Sequence, residues 1–111
     1  MRKYHHVGYP TNEKRDDEYY MKDAKVTIVV DPGKNDYGIE KSRNDVDYPA
    51  PDLLKNVPHI AFEVDNIEEE IKGKEVILGP KVIDFCGENV EIAFIAEEGI
   101  PIEFLSFIDR K

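Results

Sequence analysis

Along residues 58–65 the chain reads Pro-His-Ile-Ala-Phe-Glu-Val-Asp, and its apolar and polar positions alternate. Ile60, Phe62 and Val64 fall on one face, and His59, Ala61 and Glu63 on the other, the period-two signature of a strand buried mainly on one side. A short helix is predicted next. Asp65 can cap it with Glu68 three residues on in capping-box register, the acidic first turn suits the helix dipole, Ile67 and Ile71 give an apolar edge, and Gly73 ends it. Three strands then follow, the first over 75–85 either continuous or broken at Gly79-Pro80, the others at 90–96 and 100–108. Turns are expected at Gly87-Glu88-Asn89 and Glu97-Glu98-Gly99.

The first half is a thinner version of this pattern. Residues 4–10 read as a strand, 11–23 as a polar stretch without a clear helix, 25–30 as a second strand, 31–36 as a turn and 37–43 as a third strand. Residues 44–56, rich in Asp and Pro, form the expected linker, anchored by Leu53 and Leu54. The organisation is therefore one domain, with a first unit over about 1–45, the linker over about 44–56 and a second unit over about 57–111.

A length of 111 residues with 41% apolar and 35% charged positions suits one core. Fifteen basic residues against twenty-four acidic ones leave a formal charge of −9, which repels phosphate backbones and anionic lipid, so neither nucleic acid nor a membrane is an expected partner. The apolar runs fall far short of the roughly 20 residues that span a bilayer. With a single cysteine, Cys86, and no signal-like start, the expected location is cytoplasmic.

A weak internal repeat carries the candidate chemistry. His6-Val7-Gly8-Tyr9 lies over His59-Ile60-Ala61-Phe62, matching a histidine, a β-branched residue, a small residue and an aromatic; later Gly38-Ile39-Glu40 lies over Pro101-Ile102-Glu103. His6 to Glu40 spans 34 residues and His59 to Glu103 spans 44, and the extra ten match the helix missing from the first half. Two imidazoles and two carboxylates form a mixed nitrogen and oxygen set for one divalent metal, whose +2 charge the carboxylates balance. Each of these residues read alone is ordinarily a surface or partly buried side chain. Of the doublet His5-His6, strand alternation lets one face inward, and the repeat selects His6. Cys86 reads as a small turn or core residue, Asp31-Pro32-Gly33-Lys34 as a hairpin turn, and Ser42 and Ser106 lack a triad context.

The segments Tyr4-His5-His6-Val7-Gly8, Tyr37-Gly38-Ile39-Glu40, Pro58-His59-Ile60-Ala61-Phe62-Glu63-Val64-Asp65 and Gly99-Ile100-Pro101-Ile102-Glu103-Phe104 together resemble the vicinal oxygen chelate superfamily. That group includes glyoxalase I, extradiol dioxygenases, methylmalonyl-CoA epimerase and bleomycin-resistance proteins. The resemblance implies an α+β fold of two βαβββ modules forming a half-open barrel, here with the first helix reduced or missing. It also implies a single divalent ion (nickel, zinc, cobalt, manganese or iron) held by His6, Glu40, His59 and Glu103. The implied chemistry is that of a lyase or isomerase, in which the metal holds adjacent oxygens of a small substrate and stabilises an enediolate, with Glu103 as the proton shuttle. Extradiol enzymes need only two His and one Glu. A non-catalytic small-molecule binding or sequestering protein of the same fold is the competing class, suggested by the shortened first half. A homodimer is expected, because a half-open sheet leaves strand edges and an apolar face uncovered.

Overall fold

Alternation places the last strand between two apolar layers. In β8 (Ile100–Phe107), Leu105 and Phe107 point into the concave side of the sheet with Glu103, whereas Ile102 and Phe104 point out. The computed structural model describes residues 2–22, 24–46 and 50–110. Its other strands are β1 (Lys3–Pro10), β2 (Tyr19–Met21), β3 (Val26–Val30), β4 (Ile39–Asn44), β5 (His59–Glu63), β6 (Glu75–Phe85) and β7 (Glu88–Glu97), and its helices are the short α1 (Asp52–Asn56) and α2 (Ile67–Ile71).

All eight strands form one sheet in the order β2-β3-β4-β1-β5-β8-β7-β6. The order is symmetric about its middle. β1 and β5 pair antiparallel at the centre, and each has as its outer neighbour a parallel strand, β4 or β8, from its own half. Parallel neighbours require a crossover between them, and in the second half α2, β6 and β7 supply it. The two sheet edges approach each other where Tyr19 Oη donates to Asp84 Oδ1 at 2.9 Å, so the sheet curls into a half-open α+β barrel.

Two apolar clusters lie on opposite faces. On the concave side Ile28, Ala61, Ile83, Val90, Ile92 and Leu105 belong to one buried cluster, to which α1 contributes Leu54. The convex side of the second half is covered by α2, whose Ile67 packs with Val64, Ala93, Ile95 and Phe104. Among the described residues, no corresponding helix follows β1. Residues 11–18 are irregular and are tied to β4 by charge: Arg43 donates to both Glu18 carboxylate oxygens at 2.8 Å and to the Glu13 carbonyl, and Lys41 reaches the Glu13 carboxylate. A polar stretch holds its place there through ion pairs rather than burial.

Several local expectations change. The cap of α2 is Asn66, whose side chain accepts from Glu69 N, not Asp65. Gly79-Pro80 does not end a strand: β6 passes through it with register shifts, and Gly79 takes φ +83° where a Cβ would stand 2.6 Å from the Ile92 carbonyl oxygen. The turn before β7 is Cys86-Gly87, with Glu88 already in the strand. The polar stretch contains the short edge strand β2, and the linker contains α1. Residues 47–49 of the linker and residue 23 lie outside the described residues. Both histidines of the doublet turn inward. Tyr4 pairs with Phe62 and His6 with Ala61, so two steps along β1 match one along β5; this bulge brings His5 round to the side of His6.

Candidate metal centre

The register of the four central strands assembles the site in two rows. Glu40 of β4, Gly8 of β1 and His59 of β5 are aligned across the sheet, as are His6 of β1, Ala61 of β5 and Glu103 of β8. Each row has a small residue in the middle, which lets the flanking side chains converge. The need is acute at Gly8, where a Cβ would lie 2.2 Å from His59 Cε1 and 2.5 Å from its Nε2. The repeated order of histidine and small residue in the sequence thus has a steric cause.

His6, His59 and Glu103 meet closely. His6 Nε2 lies 3.2 Å from His59 Nε2, and Glu103 Oε1 lies 3.2 Å from each of those nitrogens, so the three donors form an equilateral triangle. Bonds of about 2.1 Å at right angles need donors about 3.0 Å apart, and at the tetrahedral angle about 3.4 Å apart; the observed edge falls between the two. These three residues could hold a metal ion. Glu40 is set back, with Oε2 at 3.4 Å from His6 Nε2 and Oε1 at 3.9 Å from His59 Nε2.

The charges also suit a cation. His6, Glu40 and Glu103 are buried, at 0%, 4% and 4% exposure, which for two neighbouring carboxylates is costly unless positive charge is at hand. Burial opposes ionisation of Glu103, yet hydrogen bonds from His59 and His6 bring its pKa down to about 2. Burial likewise works against a charged His6, but Glu40 and Glu103 hold its pKa above the ordinary histidine value. The Glu40 carboxyl is pushed up by burial, against the pull of His6 and His59. Burial, reinforced by His6, lowers His5.

Aromatic rings wall the imidazoles. Phe94 stands edge-on to His59 at a centroid distance of 5.3 Å, and Phe85 lies 5.9 Å from His6. Beside them a cavity of about 60 Å³ is lined by Glu40, His59 and Glu103 together with apolar side chains that include Met21, Ile28, Leu54 and Phe94. His6 does not line it. Three polar groups that sequence reasoning did not assign to the site also face this cavity: Ser42, Asn44 and Lys81. Only the alternation of β4, which puts Glu40, Ser42 and Asn44 on one side, carried a signal for two of them. Cys86 sits in the turn at φ +49°, with burial pushing its thiol up to about 12, and Ser106 is buried, its hydroxyl without a hydrogen-bond partner among the described residues.

No family model and no curated protein matches the sequence. Among solved structures, the crystal structure of hypothetical protein BH1468 from Bacillus halodurans C-125 is similar over 96% of this chain and 94% of that one, with a TM-score of 0.64 and 17% identity. At that identity the likeness shows a shared fold. No helix among the described residues is long and apolar enough to cross a membrane.

Proposed function

We propose that the chain is a glyoxalase-like member of the vicinal oxygen chelate superfamily, a divalent-metal-dependent lyase or isomerase acting on a small substrate with neighbouring oxygens. The observation that carries this reading is the 3.2 Å triangle of His6, His59 and Glu103 beside an apolar cavity, with a second buried carboxylate next to it. A divalent ion held there supplies Lewis acidity toward substrate oxygens. The chain's own residues do the rest. Met21, Ile28, Leu54 and Phe94 exclude water around the substrate carbon, which strengthens every charge interaction inside the cavity. A carboxylate takes the proton from the carbon next to the carbonyl and returns it at the neighbouring position. Glu103 is the residue expected for this from the sequence, but the looser seat of Glu40 favours Glu40: it lines the same cavity and stands outside the tight triangle.

The test is metal analysis of protein purified without an affinity tag, followed by deuterium exchange from heavy water into small α-hydroxyketones. Near-stoichiometric divalent metal and metal-dependent exchange, lost in Glu40→Gln with metal retained, are expected. Protein that takes up no nickel, zinc, cobalt, manganese or iron after supplementation refutes the proposal. A second reading has its own support, because two histidines and one carboxylate on a single triangular face also suit non-haem iron and oxygen chemistry. Oxygen consumption with catechols by iron-loaded protein, in place of proton exchange, selects the extradiol class.

A further inference from the structure

The bulge in β1 places two consecutive imidazoles in contact. His5 Nδ1 lies 2.7 Å from His6 Nδ1, a hydrogen bond between neighbouring side chains that regular strand alternation forbids. The His5 ring is held from other directions by Phe107 and Phe85, at centroid distances of 5.5 and 6.0 Å. Among the described residues, nothing else bonds to His6 Nδ1.

A bond between two Nδ1 atoms has one proton between them, and its owner decides what His6 presents at its other nitrogen. With the proton on His6 Nδ1, a neutral His6 ring has a bare Nε2 facing His59 and Glu103. With the proton on His5 Nδ1, a neutral His6 must carry its hydrogen on Nε2, pointing into the triangle where an ion would sit. Ligating histidines usually donate their second N–H to an oxygen acceptor, which fixes the tautomer and the ring plane. Here no carboxylate or carbonyl among the described residues is placed to accept it, and a neighbouring imidazole stands in that position.

Resting on the metal-dependent reading above, we infer that His5 is a positioning residue of the metal centre: its Nδ1 lone pair accepts the His6 Nδ1–H and keeps His6 Nε2 bare and aimed at the ion. His5 itself does not line the cavity, and its Nδ1 faces His6 Nδ1 and not the triangle of donors. Its contribution lies in ligand orientation, and an amide oxygen at the same place can replace it.

Zinc titration against a chromophoric chelator, with nitrogen-15 spectra of the zinc-loaded protein, tests this. His5→Phe fills the slot between Phe85 and Phe107 without an acceptor and is expected to weaken zinc binding about 10- to 100-fold, whereas His5→Asn, with Oδ1 near the position of Nδ1, recovers it to within about threefold of wild type. The wild-type spectrum is expected to show a protonated His6 Nδ1 and a bare His5 Nδ1. The inference is overturned by a folded His5→Phe protein with wild-type affinity, by an Asn variant no better than Phe, or by a protonated His5 Nδ1. That spectrum needs no variant, so it decides the matter even if His5→Phe does not fold. Wild-type protein that binds no zinc or other divalent ion overturns the metal-dependent reading and this inference together; zinc binding indifferent to His5 overturns this inference alone.

Discussion

Replacing Gly8 with alanine puts a methyl group where the His59 ring lies. The new carbon would stand 2.2 Å from Cε1, 2.5 Å from Nε2 and 2.8 Å from Nδ1 of His59, and ordinary contact begins at 3.4 Å, so the ring must retreat by about 1.2 Å (3.4 − 2.2). The pairing of Gly8 with His59, and of Val7 with Ile60 beside it, limits how far the backbone can follow. Over-packing of this kind costs about 1 to 3 kcal/mol, which for a domain of this size lowers the melting temperature by roughly 5 to 15 °C. The effect on the metal centre is the sharper one. A displacement of that size is more than a third of the 3.2 Å edge between donors, so the three atoms no longer share a common centre, and zinc affinity should fall about 100-fold or more. Calorimetry without metal gives the first quantity and chelator competition the second. Gly73→Ala is the matched control: Gly73 has φ +76° with nothing within 4 Å of a built Cβ, so the substitution should cost about 1 kcal/mol through backbone strain and leave zinc binding unchanged. Wild-type zinc affinity in folded Gly8→Ala, or an equal loss in Gly73→Ala, would refute the steric account.

Glu18 is held ionised down to about 2 by its paired bonds from Arg43, below the ordinary glutamate value of 4.5. Its contribution is therefore present above pH 4.5 and is lost as the pH falls through 2. Glu18→Gln should melt below wild type at pH 7, with faster amide exchange over residues 11–18, and the difference in melting temperature should shrink steadily as the pH falls from 4.5 to 2; a difference as large at pH 2 as at pH 7 contradicts the ion-pair origin. Cys86, raised from 9.0 to about 12 by burial and by the charges of Asp31, Glu40 and Asp84, should be alkylated at pH 8 about a thousandfold more slowly than a free peptide thiol, and at the peptide rate once unfolded. Equal rates before and after unfolding would refute this.

What the sequence determined by itself was whatever depends on neighbours a few residues apart. Alternation in 58–65 is a property of one strand, so it located the apolar face that α2 covers and the opposite face that carries His59. The repeat of histidine, small residue and late glutamate singled out four side chains that the strand register sets in two neighbouring rows, three of which form the triangle, because in each row two large groups pass over a small one. Local chemistry also marked the short helix and most turns.

Only the tertiary structure decided the features that depend on how one strand meets another. The bulge that turns His5 inward is a mismatch of register between β1 and β5, invisible in β1 alone. The cap of α2 is Asn66 and not the expected Asp65, because it is the Asn66 side chain that meets Glu69 N. Strand β2 exists because β3 offers it an edge, and β6 runs through Gly79-Pro80 because β7 pairs with it on both sides. Likewise the 3.2 Å triangle, with Glu40 set back from it, reflects distances across four strands from distant parts of the chain. The side chains that can meet are set by composition and period; where their atoms stop is set by register and packing.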